Sequence, residues 1–98
     1  MSGLFHLLMN HYCYIIYSLD FDKYYKGYSI NPCIRLIQHN NGESRYTKKF
    51  LPWKLVYIET LKDKTSALKR EKALKKYSKD QIVELIGSSK NIVDEFKG

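Results

Sequence analysis

The sequence predicts an α+β domain, with a small three-stranded antiparallel sheet flanked by three to four helices. Three segments are rich in the aromatic and β-branched residues that favour strands, and a short polar loop joins the first two. The segments between and after them have the apolar spacing and the capping residues of helices. The chain has 98 residues, which is enough for one domain with a single modest core.

The first two strands form a predicted hairpin. Residues 12–17 (YCYIIY) and 23–29 (KYYKGYS) flank the loop SLDFD, and these two strands contain six of the nine tyrosines. Gly27 has no side chain to pack, so it indicates a bulge or the close approach of another group. Side-chain alternation predicts that Tyr12, Tyr14 and Ile16 lie on one face of the first strand and Cys13, Ile15 and Tyr17 on the other. On the second strand it groups Tyr25 and Gly27 on one face and Tyr24, Lys26 and Tyr28 on the other.

The next segment, NPCIRLIQHNNG, has the ends of a helix. Asn31 can cap it, Pro32 suits its first turn, and Asn41-Gly42 ends it. Arg35 and His39 are four residues apart and therefore lie one turn above each other. The apolar residues Cys33, Ile34, Leu36 and Ile37 are predicted to cover the other side.

The second half of the chain supplies one strand and two helices. A basic loop, ESRYTKKF, leads into a third strand, PWKLVYIET. Asp63 caps a basic helix predicted to run to Tyr77, and Ser78 caps a short helix, KDQIVELI, that ends at Gly87. The predicted organisation is a tail at residues 1–9, a domain at 10–87 and a helical turn or tail at 88–98.

Charge and cysteine content limit the partners. Seventeen Lys and Arg against ten Asp and Glu give a net charge of +7, which favours nucleic acid first and an anionic membrane surface second, or simply a soluble basic protein. Cys13 and Cys33 lack zinc-site spacing and are predicted to be buried free thiols in a reducing cytosol. The apolar start MSGLFHLLMNH lacks the features of a signal peptide or membrane span, so we expect a cytoplasmic protein without a membrane partner.

One acidic residue does not fit the basic helix. Helical periodicity predicts that Ala67, Leu68 and Leu74 are buried, and Glu71 falls among them, whereas Lys69, Lys72 and Lys76 point to solvent. A carboxylate in that position is costly unless it is compensated. Three partners could do so: a basic side chain such as Arg35, a hydrogen-bonded network, or a metal ion.

Taken together, these residues supply what phosphodiester cleavage needs: a proton acceptor, a cation for the phosphate charge and an anchor for a divalent metal. The pattern resembles the GIY-YIG nuclease domain family, particularly its small stand-alone bacterial members related to the nuclease domain of the excision-repair incision subunit. The first family triplet appears as Tyr12-Cys13-Tyr14 and the second as Tyr25-Lys26-Gly27. The family arginine matches Arg35, with His39 four residues later, and the family glutamate matches Glu71.

The resemblance implies a DNA endonuclease that uses one Mg²⁺ or Mn²⁺ ion held by Glu71. Arg35 would offset charge on the phosphate, and Tyr25 would orient water or phosphate. Tyr14 would accept a proton from water and would need a neighbouring cation or a base such as His39, because only about one phenol in a thousand is ionised at neutral pH. For Tyr14 and Tyr25 the alternative is strand packing, and for His39 it is a place on the helix surface.

The predicted nucleic-acid contacts come mainly from the basic loop. Arg45, Lys48 and Lys49 would hold phosphates, Tyr46 would stack on a base or pack under the loop, and Lys26 could supply the cation that some relatives carry after the second triplet. We expect selectivity for DNA structure rather than sequence, a role in repair or recombination, and possible targeting by a protein partner. A non-catalytic nucleic-acid-binding module, an adaptor on the same fold and an RNA substrate remain alternatives.

Overall fold

The computed structural model describes residues 10–96. The elements follow in chain order as β1 (His11–Ser18), β2 (Lys23–Ser29), α1 (Pro32–Asn40), β3 (Lys54–Leu61), α2 (Lys64–Leu74) and α3 (Lys79–Ile86), with short 3-10 helices at Thr47–Phe50 and Val93–Phe96. The sheet has three strands and the order β2-β1-β3, with both pairings antiparallel. The predicted fold class is confirmed.

The central strand, β1, has its residues covered on both faces. One face carries Tyr12, Tyr14 and Ile16, which pack with Trp53, Leu55, Ile58 and Val93 and with parts of α1. The other carries Cys13 and Ile15, which pack with Tyr57, Ala67, Leu74, Ile82 and Leu85 from β3, α2 and α3. The predicted alternation is therefore correct, and it places α1 on one side of the sheet and the other two helices on the opposite side.

The helix starts also agree with the sequence. The side chain of Asn31 accepts a hydrogen bond from the amide of Ile34 at 3.2 Å, and Asp63 accepts one from Ser66 at 2.7 Å. Ser78 forms a full capping box with Gln81. Each cap satisfies amides that have no partner within the helix, which fixes where the helix begins.

Three apolar residues predicted to be buried are not. Ile34 and Ile37 on α1 are more than half exposed, because the helix turns Leu36 and His39 towards the sheet instead. Leu68 on α2 is 43% exposed, and α2 ends at Leu74 rather than at Tyr77. The predictions for these positions were wrong because helical spacing shows which residues share a face but not how far the helix is rolled.

The two cysteines differ in burial. Cys13 is fully buried, and its thiol donates a hydrogen bond to the carbonyl oxygen of Ala67 at 3.1 Å. Burial, reinforced by the charges of Glu59 and Glu71, raises the pKa of the Cys13 thiol to about 12, so this thiol is unreactive. Cys33 is a free thiol but only partly buried, which corrects the prediction for that residue.

The described C-terminal residues pack against β3. The amide of Ile92 donates to the carbonyl of Ile58 at 2.9 Å, and the Asn91 side chain donates to the carbonyl of Val56 at 2.9 Å.

Within residues 10–96 no helix is long and apolar enough to cross a membrane. The predicted tail at residues 1–9 lies outside the described residues.

Candidate active site

A buried phenol and a buried imidazole meet between β1 and α1. The Tyr14 hydroxyl lies 2.8 Å from Nε2 of His39, and both side chains are almost fully covered. Tyr14 comes from the centre of β1, on the face against which α1 packs, and His39 comes from the last turn of α1. The alternative that His39 is a helix-surface residue is therefore wrong.

No pattern in the sequence indicates the third member of this group, Thr47. Its hydroxyl lies 2.7 Å from Nδ1 of His39, and its side chain is fully buried at the start of a 3-10 helix. The indole of Trp53 donates to the carbonyl oxygen of Thr47 at 2.8 Å, which holds this residue in place. A threonine within a basic loop carries no local signal of such a role, since its partner is set by the tertiary fold.

The surroundings keep His39 neutral near pH 7. Burial, and then the charge of Arg35, lower the pKa of His39 to about 4. A neutral imidazole has one donor and one acceptor nitrogen. When Nδ1–H donates to the Thr47 hydroxyl, Nε2 is left free to accept the hydrogen bond of the Tyr14 hydroxyl.

Tyr14 is held in its protonated form. Burial, with Tyr25 and Glu71 as further contributors, raises the pKa of the Tyr14 hydroxyl well above its usual range, while the charge of Arg35 acts in the opposite direction. An isolated phenol in this position would be a poor proton acceptor.

Gly27 makes room for this phenol. It pairs with Tyr14 in the hairpin, and a Cβ atom added to Gly27 would lie 2.5 Å from both Cζ and Oη of Tyr14. That separation is far inside van der Waals contact. Of the two reasons suggested for a glycine here, close approach is the correct one, because the β1–β2 register is continuous past this position.

Tyr25 and Arg35 border the same group. The Tyr25 ring meets the His39 ring edge-on, with centroids 5.2 Å apart. Arg35 is partly buried on α1, and its Nη1 donates to the side-chain oxygen of Gln38 at 2.9 Å. Burial is the main cause of the shifted pKa values of Tyr14 and His39; the charge of Arg35 opposes the rise for Tyr14 and adds to the fall for His39. Tyr14, Tyr25, Arg35 and His39 are thus brought together on one side of the sheet.

Glu71 belongs to α2, on the opposite side of the sheet. Its side chain is 19% exposed, and Oε2 lies 3.5 Å from Nζ of Lys75, one turn later on the same helix. The suggested ion pair with Arg35 is wrong, since the partner of the carboxylate is Lys75. The charge of Glu71 nevertheless reaches β1, where it helps to raise the pKa of both Cys13 and Tyr14.

The residues predicted to contact nucleic acid fall into two places. Arg45, Tyr46, Lys48 and Lys49 are exposed along and beside the 3-10 helix Thr47–Phe50. Lys26 lies on β2 with its side chain half-buried, and burial lowers its pKa. Within residues 10–96 no three His, Cys, Asp or Glu side chains form a group that could hold a metal ion. A metal at Glu71 would therefore complete its coordination with water and substrate oxygens.

The chain is similar to known proteins over the part that contains the candidate active site. The sequence model of the GIY-YIG catalytic domain matches residues 10–85. A UPF0213 protein of Staphylococcus epidermidis is 42% identical over 77 residues, which cover 78% of this chain and 93% of that protein. A UPF0213 protein of Clostridium perfringens is 40% identical over 85 residues, which cover 86% of this chain and 89% of that protein.

A solved structure shares the fold. The solution NMR structure of a UPF0213 protein from Bacillus halodurans superimposes with a TM-score of 0.54 and 27% sequence identity, covering 91% of this chain and 95% of that one.

Proposed function

Because this chain belongs to the GIY-YIG catalytic domain family, we propose that it is a divalent-metal-dependent endonuclease that hydrolyses phosphodiester bonds of DNA. The observation that carries this proposal is the buried contact between the Tyr14 hydroxyl and Nε2 of His39, backed by Thr47 and bordered by Arg35. A buried phenol needs a hydrogen-bond partner in any case, but this partner is a neutral imidazole that can also take up a proton. A proton acceptor must lie within hydrogen-bond reach of the group that gives up the proton, and the separation of 2.8 Å between Tyr14 and His39 meets that condition.

In the proposed reaction a water molecule attacks the phosphorus atom and gives a proton to the oxygen of Tyr14. The proton that Tyr14 already carries passes to Nε2 of His39, which becomes an imidazolium. Burial lowers the pKa of His39 in the free protein, and the charge of Arg35 lowers it further. A phosphate bound beside Arg35 would neutralise that charge, so His39 becomes a better base when substrate is present.

Arg35 would hold the phosphate that is cleaved. Its guanidinium can offer two parallel hydrogen bonds to phosphate oxygens and offset the charge that develops on them. Its hydrogen bond to Gln38 leaves other N–H groups for this purpose, since a guanidinium has five. Tyr25, whose ring lies edge-on to that of His39, would orient the phosphate or the water.

Glu71 would hold one Mg²⁺ or Mn²⁺ ion. A hard, partly exposed carboxylate suits these metals, which keep several waters and share substrate phosphate oxygens. The bound ion would polarise the phosphate and stabilise the departing 3′ oxygen. Lys75 is itself mostly exposed and can swing away when the carboxylate takes another partner.

The net charge of +7 and the exposed Arg45, Lys48 and Lys49 favour salt-dependent binding with little sequence preference. Structure-selective cleavage in DNA repair or recombination, in the cytoplasm and with a targeting protein, fits a small nuclease domain.

Cleavage of labelled branched and linear DNA, with Mg²⁺ or with EDTA, tests the function. We expect metal-dependent nicking by the native protein, and its loss in Glu71→Ala while a gel shift persists. Glu84→Ala is the control, because Glu84 is an exposed glutamate on α3. Equal activity in the native protein and Glu71→Ala would remove the metal assignment, and absence of cleavage under all conditions would favour a non-catalytic binding module.

A further inference from the structure

Three aromatic side chains form a row on the surface beside the candidate active site. Phe21, from the hairpin loop, meets Phe50 at a centroid distance of 5.3 Å, and Phe50 meets Tyr46 at 5.2 Å. Phe21 is 50% exposed and Tyr46 is 48% exposed. We call these three residues the aromatic row. Large apolar rings gathered on a surface mark a contact with another molecule more often than rings that are exposed singly.

The segments that carry Phe21 and Phe50 are tied to the rest of the fold. The hairpin loop that carries Phe21 is held by the next residue, Asp22, whose carboxylate accepts a hydrogen bond from Tyr17 at 2.9 Å and contacts Lys79 on α3. Phe50 rests edge-on against the buried Trp53, with centroids 6.4 Å apart. Rings that are held in place lose little further entropy when a ligand stacks on them.

The aromatic row is continuous with the candidate active site. The Tyr46 ring lies 6.2 Å from the Tyr25 ring, and Tyr25 in turn lies edge-on to His39. A ligand lying along the row would therefore reach Tyr25, which borders the buried pair of Tyr14 and His39. A nucleic-acid strand can do this, because its bases and its phosphates alternate along one backbone.

The charges around the aromatic row are positive. The ammonium group of Lys23 lies over the Phe50 ring, 5.2 Å from its centroid. Arg45, Lys48 and Lys49 are exposed close by in sequence to Tyr46 and Phe50. Rings interleaved with cations are the combination that proteins use to bind single strands, in which bases stack on the rings and phosphates contact the cations.

We propose that the aromatic row stacks unpaired bases next to the phosphate that is cleaved, so that the preferred substrate is a single-stranded segment. The part of this inference that concerns cleavage rests on the proposed nuclease function, but binding of the single strand can be measured without cleavage. The faces of paired bases in an intact duplex are already stacked on their neighbours, so a duplex could use the cations but not the rings. The row thus selects unpaired strands, whereas the lysines and the arginine bind any strand.

Binding in EDTA tests this inference independently of catalysis. Fluorescence anisotropy would compare a single strand of about 12 nucleotides with a duplex of the same length, at one fixed salt concentration. We expect Phe21→Leu/Tyr46→Leu to weaken single-strand binding about tenfold or more, while duplex binding changes less than about threefold because the charges are unchanged. Val83→Ala is the control, since Val83 is a half-exposed apolar residue of α3, and circular dichroism would verify that each variant is folded.

Two further measurements separate stacking from charge. A 2-aminopurine placed in the single strand should be quenched by the native protein and not by the double variant. An abasic strand of equal length should bind native protein and double variant equally. The inference would be overturned if the double substitution weakened the binding of single strand and duplex equally, or if it left single-strand binding unchanged. Either result would count whatever the cleavage assay shows. A failed cleavage assay with the expected binding results would remove the nuclease function and leave the aromatic row as a single-strand-binding surface.

Discussion

The Thr47 hydroxyl lies 2.7 Å from Nδ1 of His39, on the side of the imidazole away from Tyr14. One contact therefore depends on the other: when Nδ1 carries the proton and its N–H donates a hydrogen bond to the Thr47 hydroxyl, Nε2 must be the acceptor that faces Tyr14. Thr47 would act through His39, as a positioning residue rather than as one that touches the substrate.

Replacement of Thr47 by Val keeps its shape and removes its hydroxyl. The loss leaves Nδ1 of His39 buried without a partner, which should cost about 1–3 kcal/mol of unfolding free energy and let the imidazole change tautomer. We expect a cleavage rate lower by about tenfold and a changed tautomer ratio in ¹⁵N NMR of His39. Thr47→Ser should restore both. A normal tautomer ratio in Thr47→Val, with only stability reduced, would show that Thr47 is purely structural.

Gly27→Ala should displace the Tyr14 ring more than it alters the β-sheet. The added methyl group would lie 2.5 Å from the Tyr14 hydroxyl oxygen and force the ring away from His39. Overpacking of this kind costs about 1–3 kcal/mol, and we expect cleavage to fall further than stability alone explains. Activity is measured at a temperature where the variant is folded.

Gly87→Ala is the matched control for this change. Its added Cβ would meet nothing closer than 3.7 Å, so stability and activity should stay close to native. Full activity in Gly27→Ala would show that the Tyr14–His39 contact is not needed.

His39 should link stability to pH. Its pKa is about 4 in the folded protein and near 6.5 in the unfolded chain, so the unfolded chain binds more protons between these values. The stabilisation is fully present above about pH 6.5 and is lost as the pH falls towards 4. Thermal unfolding between pH 7 and 5 measures it, and His39→Gln should flatten the slope. An unchanged slope in His39→Gln, or an NMR titration of His39 near 6.5, would contradict the burial argument.

Much of the architecture could be predicted from local signals. Alternation along β1 assigned Tyr14 and Cys13 to opposite faces of the sheet, and the caps at Asn31, Asp63 and Ser78 are those the sequence indicates. Such features depend on residues close in sequence, so one chain is enough to find them.

Other features depend on packing between elements. The spacing within α1 groups Ile34 with Leu36, yet Ile34 is exposed, and His39 occupies the buried position instead. The link from His39 to Thr47 joins two elements, and no local pattern marks it. The Glu71–Lys75 pair could have been predicted, because residues four apart on a helix are neighbours. The roles of Tyr14, Tyr25, Arg35, His39 and Glu71 stay predictions.

Single-turnover DNA cleavage by Tyr14→Phe tests the central claim most directly. The matched control is Tyr12→Phe, which removes a hydroxyl from the same face of the same strand at a position that is also buried. If the Tyr14 oxygen handles a proton, its removal should lower the rate about a hundredfold or more, while Tyr12→Phe stays near native. A rate for Tyr14→Phe within about threefold of native, or an equal loss in both variants, would contradict the account.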